Sequence, residues 1–165
     1  MVVIVMGVSG SGKTTVGSRL ARLLGWSFRD GDEFHSAAHI EKMASGNALT
    51  DEERAPWLER VREIIAGSLA AGEGLVVACS ALKDSYRKTL TVDARRQHWV
   101  FLHAPRELLA QRLAKRRGHF MAASLLDSQL ATLEVPEGVC SVDVSVPPDT
   151  VVSRIVEALS LTPPT

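Results

Sequence analysis

A parallel α/β sheet with helices on both faces is the fold class the sequence predicts, on three observations. Short apolar runs of strand length alternate with longer helical patterns along the whole chain. The first and third runs are almost wholly apolar, which suits strands covered on both faces. A glycine-rich turn stands between the first strand and the first helix, at the kind of strand end where such sheets bind ligands.

The first strand is residues 2–6, VVIVM, rich in β-branched side chains. After the glycine turn, Val16, Leu20, Leu23 and Leu24 mark the apolar face of a helix that Gly25 stops. Residues 26–29 read as a short second strand ending at Asp30-Gly31-Asp32, and residues 35–45 as a short helix. Thr50 to Glu53 has the form of a capping box. Pro56 would remove a hydrogen bond so deep in a helix that an initial turn is expected there. The main helix then follows, with Trp57, Val61, Ile64, Ile65 and Leu69 inward.

Residues 74–78 are a central third strand that runs into Cys79-Ser80-Ala81-Leu82-Lys83, followed by a helix through Tyr86 and Leu90. Residues 99–102 form the fourth strand. Pro105 opens a helix at or near its first position, with Leu108, Leu109 and Leu113 buried and Lys115-Arg116-Arg117-Gly118 at its end. A further helix over about 123–133 presents Leu126, Leu130 and Leu133 on one face. Residues 139–146 alternate valines with Ser141, Asp143 and Ser145, as a half-covered edge strand would. Pro147-Pro148-Asp149 starts a last helix through Val152, Ile155, Val156 and Leu159, and the TPPT tail frays.

The 165 residues, 45% hydrophobic, are expected to form one domain, 1–165, with a sizeable core. Lys+Arg and Asp+Glu number 19 each, so no net field draws nucleic acid or an anionic membrane. No run approaches membrane-spanning length, and the opening apolar run is too short for a secretory signal. The expectation is a cytoplasmic protein with no nucleic-acid or membrane partner. Cys79 and Cys140 sit in apolar runs outside any CxxC pair and read as reduced thiols. His35 and His39 have metal-compatible spacing but no third ligand arranged around them.

The chemistry centres on Gly7-Val8-Ser9-Gly10-Ser11-Gly12-Lys13-Thr14, which fits the P-loop pattern GxxxxGK(S/T) at every defined position. Such a loop turns its N–H groups inward on phosphate oxygens, so residues Gly7 to Thr14, with Thr15, are expected to hold the phosphates of ATP. Lys13 would reach the β- and γ-phosphates. The Thr14 hydroxyl would ligate Mg²⁺, with Asp30 acting through water. A dinucleotide-binding loop would need glycine where Thr15 stands and has no use for Lys13. Asp32 is the expected base for a hydroxyl acceptor. In the basic cluster, Lys115 and Arg117 suit a helix C-terminus. Arg112 and Arg116 are expected on phosphate as part of a small mobile lid at roughly 112–125, with Gly118 as pivot. Arg54, Lys83 and Arg87 fit ordinary surface charge, or the grip on an anionic acceptor.

Further runs join these: DGDEFH at 30–35, IEKMASG at 40–46, LTDEERAPWL at 49–58, CSALKDSYR at 79–87 and RLAKRRGHFM at 112–121, with SQLATLEVP following. Together they resemble the gluconokinase family, small P-loop kinases that phosphorylate D-gluconate at its 6-hydroxyl. The resemblance covers nearly the whole chain, and it implies a three-layer α/β/α fold with a five-stranded parallel sheet in the order 2-3-1-4-5. It also implies catalytic roles for Lys13, Asp32 and Arg116, and a gluconate pocket that includes Asp32, His35, Arg54 and Lys83. ATP and Mg²⁺ are the implied cofactors, gluconate is the partner, and a homodimer is compatible. His39 stands where the family usually has Asn, and Ala122 where it usually has Pro. The rival readings are a kinase of this fold with another small acceptor, such as shikimate or a nucleoside monophosphate, and a non-catalytic ATP-binding module.

Overall fold

The computed structural model describes residues 1–115 and 122–165. Strand β1 (Val2–Met6) is the middle of a five-stranded parallel sheet, between β3 (Leu75–Ala78) and β4 (Gln97–His103). The edges are β2 (Ser27–Asp30), paired with β3, and β5 (Cys140–Asp143), paired with β4. The order is therefore β2-β3-β1-β4-β5, the one the resemblance implied.

A strand presents successive side chains to opposite faces. Val2, Ile4 and Met6 of β1 pack with Trp57, Val61, Ile65 and Leu69 of α3 (Asp51–Ala71) and Tyr86 and Leu90 of α4 (Asp84–Leu90). Val3 and Val5 pack on the other side, with Val16, Leu20 and Leu24 of α1 (Lys13–Leu24) and Val151, Val152 and Ile155 of α7 (Pro148–Ala158). No face of β1 meets water, which is why its run is unbroken. Its side chains each bring roughly 1.5–3 kcal/mol of burial. A third cluster joins Val8 of the glycine loop to Leu82, to Leu109 and Leu113 of α5 (Arg106–Ala114), and to Leu126 of α6 (Ala122–Thr132). That cluster clamps the loop from the side opposite α1. The remaining helix, α2 (Ala37–Ala44), buries no residue and is tied to α3 by Lys42 Nζ, which donates to Glu53 Oε1 at 2.7 Å.

Several expectations are corrected. No separate turn precedes α3: the helix is continuous from Asp51, with Pro56 inside it. Thr50 and Glu53 close a full capping box, and Pro56 and Glu52, whose carbonyl loses its partner, are both exposed, which leaves that carbonyl open to solvent. Leu23 is 45% exposed, because Val16, Leu20 and Leu24 already define the inward stripe. Leu108 is only half-buried. The final strand is short, Cys140–Asp143, and Val144 continues inward as chain entering α7.

Both cysteines are free. Cys79 follows β3 and Cys140 lies on β5, with β1 and β4 between them. At about 4.8 Å per strand spacing they are far beyond disulfide reach. Burial pushes the Cys79 thiol up to about 12.

Candidate active site

The loop after β1 depends on glycine at two places for different reasons. A Cβ at Gly7 would lie 2.7 Å from the Leu102 carbonyl oxygen, so only glycine lets the loop pass this close to β4. Gly12 has φ 87 at the N-cap of α1 and supplies no side-chain cap. The first-turn N–H groups of α1 are thus left for an anion, at the positive end of the helix. Lys13 curls back, its Nζ donating to the Val8 carbonyl at 3.1 Å. Val8 itself is core, and its backbone is what the site uses.

The Asp30 corner is built locally. Asp30 ends β2 and caps a 3₁₀ turn over Gly31–Phe34 as a capping box with Glu33. Its Oδ1 accepts from the Asp32 N–H at 3.0 Å, and its Oδ2 accepts from Thr14 Oγ1 at 2.8 Å. A hydroxyl and a carboxylate so close, beside the phosphate loop, are hard oxygen donors that fit Mg²⁺. Trp57 braces the turn from α3, its Nε1 donating to the Gly31 carbonyl at 2.6 Å.

Asp32 projects from this turn into a cleft of about 330 Å³, which Ser9, Lys13, His35, Arg54 and Gln129 also line. The carboxyl keeps solvent access yet is crowded by protein on most sides. That crowding raises its pKa above the ordinary 3.8, the Lys13 cation opposes the rise, and the Asp30 charge adds to it. His35 stacks on Trp57 with ring centroids 4.2 Å apart and planes 13° from parallel. Burial, then the charges of His39, Arg54 and Arg60, lower its pKa from 6.5 to about 4, so the ring is neutral near pH 7. Its Nδ1 is buried without a hydrogen-bond partner among the described residues. Apolar residues of α2, Ile40 and Met43, close the cleft opposite.

Arg54 reaches the cleft with its guanidinium steadied from behind. Its Nη1 donates to the Tyr86 hydroxyl at 2.9 Å, and that hydroxyl donates in a short bond to Asp51. Lys83 belongs to the back of this network rather than to the cleft lining. Its Nζ donates to both Asp51 oxygens, at 3.0 and 3.1 Å. Arg87, the third cation in question, is not a surface charge. It is 8% exposed and donates to the carbonyls of Ala81, Leu82 and Glu134. These bonds hold Ala81 at φ 46, a strained conformation for alanine.

A second cavity, of about 260 Å³, lies on the outer side of the loop. Gly10, Ser11, Gly12 and Thr15 line it with Arg112, Val144, Val146 and Pro148. Arg112 donates there to the Val144 carbonyl, so its guanidinium sits beside the outer face of the loop. Arg116, Arg117 and Gly118 lie outside the described residues. The structure thus groups Lys13, Asp32, His35 and Arg54 on the inner cleft, and Thr15 and Arg112 on the outer cavity. Trp57, Tyr86, Asp51 and Gln129 are parts of the site that sequence reasoning did not single out. Apolar spacing marked Trp57 and Tyr86 as core, and nothing local separates Asp51 or Gln129 from surface polar residues.

A family model described as an AAA domain matches residues 2–136. The gluconokinase of Gluconobacter oxydans is 49% identical over 93% of this chain and 88% of its own. Among solved structures, a gluconokinase from Sinorhizobium meliloti superposes with a TM-score of 0.86 at 44% identity, covering 96% of this chain and 90% of that one. Shikimate kinase from Aquifex aeolicus matches at a TM-score of 0.60 and 20% identity, over 97% and 96% of the two chains, and so shares the fold alone. Identity of this order across nearly the whole length, on a P-loop kinase fold, places the chain in the gluconokinase family.

Proposed function

We propose that this protein transfers the γ-phosphoryl group of Mg·ATP to the 6-hydroxyl of D-gluconate, giving 6-phospho-D-gluconate, within a single kinase domain. The observation that supports it best is the inner cleft. It gathers a loop lysine, a crowded aspartate and a braced arginine around one small cavity, the groups that a phosphoryl donor, a hydroxyl and a carboxylate call for.

ATP supplies the phosphoryl group, and Mg²⁺ offsets charge on its oxygens. Lys13 and the loop N–H groups hold the phosphates and neutralise charge as it develops on them. Thr14 would hold the metal through its hydroxyl oxygen, with Asp30 acting through water. The outer cavity, under Arg112 and the residues entering α7, suits the nucleoside end. Asp32 orients the acceptor hydroxyl and takes its proton on a carboxylate oxygen. Its raised pKa makes it a stronger base than an ordinary aspartate. Arg54 pairs with the gluconate carboxylate, and neutral His35 hydrogen-bonds a sugar hydroxyl. Lys83 acts through Asp51 and Tyr86, and Arg116 closes over the phosphates.

A coupled ADP-release assay with a panel of acceptors tests this. Gluconate should turn over at least a hundred times faster than shikimate or AMP at equal concentration. Turnover of another acceptor in its place, or nucleotide binding with no transfer, overturns the reading.

A further inference from the structure

The N–H of Ser9, inside the phosphate loop, donates to Gln129 Oε1 of α6 at 2.6 Å, across 120 residues of chain. Both residues line the inner cleft beside Lys13 and Asp32. Gln129 also sits on the helix whose Leu126 shares the third apolar cluster with Val8, the residue just before Ser9. One helix therefore reaches two consecutive loop residues in different ways: Leu126 through the apolar cluster it shares with Val8, and Gln129 through its bond to the Ser9 backbone. The Val8 carbonyl, in the same peptide as the Ser9 N–H, accepts from the Ser11 N–H at 3.2 Å and from Lys13 Nζ at 3.1 Å.

From this we infer that Gln129 is a positioning residue for phosphoryl transfer. Its side-chain carbonyl fixes the Ser9 peptide and, through it, the Val8 carbonyl that steers Lys13. The physical reason is that the Val8–Ser9 peptide is held at its carbonyl by the Ser11 N–H, which donates at 3.2 Å, while among the described residues the acceptor for its N–H is Gln129 Oε1. An unpaired amide there would recruit water or rotate. Either change moves the Lys13 ammonium relative to the transferring group, and displacements of about 1 Å at a reacting centre can cost about 100-fold in rate. The inference rests on the phosphoryl-transfer reading of the same cleft, but the tether itself is observable without any acceptor.

The test compares the full-length protein with Gln129→Leu, close in shape but unable to accept, and Gln129→Glu, which keeps an acceptor. Amide exchange of the loop is followed by mass spectrometry, alongside ADP binding, thermal melting and steady-state kinetics with gluconate. In Gln129→Leu, exchange over residues 7–12 should speed up about 5-fold or more. The kcat should fall about 10- to 100-fold. The gluconate KM, the ADP affinity and the melting temperature should stay close to those of the parent. Gln129→Glu should restore slow loop exchange. Loop exchange and kcat within twofold of the parent in Gln129→Leu overturn the inference. So does a loss of kcat matched by equal losses in melting temperature and ADP affinity, which marks a merely structural role. If the parent protein leaves gluconate unphosphorylated, the assigned acceptor fails, while the exchange measurement still decides whether Gln129 holds the loop.

Discussion

Asp32 and Asp51 are both aspartates in the first turn of a helical segment, and the protein drives their carboxyls in opposite directions. Asp32 lies in a 3₁₀ turn on the cleft, where crowding raises its pKa against the pull of Lys13. Asp51 opens α3, where the Tyr86 hydroxyl and then Lys83 hold its carboxyl below the usual range. One carboxylate accepts no side-chain hydrogen bond among the described residues and keeps its appetite for a proton. The other is saturated with donors and has none. The difference teaches that basicity here follows from what surrounds a carboxylate: the proposed base is the crowded one, while the other braces Arg54 through Tyr86.

The sharpest way to break this contrast is to neutralise each in turn. Asp32→Asn should lower kcat about 10³-fold, the scale of a lost general base, with ADP affinity kept. Asp51→Asn should change kcat less than about tenfold. Equal losses in the coupled assay would erase the distinction.

Next in size is the arginine that Asp51 braces. Arg54→Leu should raise the gluconate KM about 10- to 100-fold, the worth of a charge-assisted hydrogen bond, with a smaller change in kcat. Tyr86→Phe should move KM in the same direction by only a few fold, about one neutral hydrogen bond. An unchanged KM in Arg54→Leu would remove it from the acceptor carboxylate.

Melting curves against pH sharpen the comparison further. Asp32 has its pKa raised on folding, so its ionisation disfavours the folded state at any pH above the unfolded value of about 3.8. Asp32→Asn should therefore melt higher than the parent near pH 7 and lose that advantage in acid. Asp51, with its pKa lowered, adds stability above about 3.8 that disappears as pH falls through its folded value. Asp51→Asn should melt lower near pH 7 and converge with the parent in acid. Curves that shift the same way would contradict the opposite environments.

The smallest effect concerns His35. Its pKa falls from 6.5 to about 4 on folding, so the unfolded chain binds the extra proton between those values. Stability should drop as pH falls through that window, and His35→Gln should flatten the slope. An unaltered slope would mean that the ring is charged against Trp57.

Much of the architecture was legible because local rules and tertiary packing agree. The all-apolar run of β1, the glycine stop of α1 and the Thr50–Glu53 capping box each follow from a few adjacent residues. The Asp30–Asp32 corner was legible for the same reason, being closed by hydrogen bonds within four residues. Pro56 was misjudged because the cost of a missing helix bond depends on whether water reaches the freed carbonyl, which is a property of the surface. Arg54, Lys83 and Arg87 look alike in sequence. The structure makes one a cleft residue, one the back of a brace and one a buried staple for carbonyls.

By itself the sequence determined the phosphate loop, the alternation of strands and helices, and the carboxylates at the end of β2, since each is written in short-range spacing and in the conformational freedom of glycine. Only the tertiary structure decided which cation lines the cleft, how Asp32 and Asp51 part in basicity, and that Gln129 crosses 120 residues to Ser9. Burial and the partners of a polar group are set by chain segments far apart in sequence, and no local pattern encodes them.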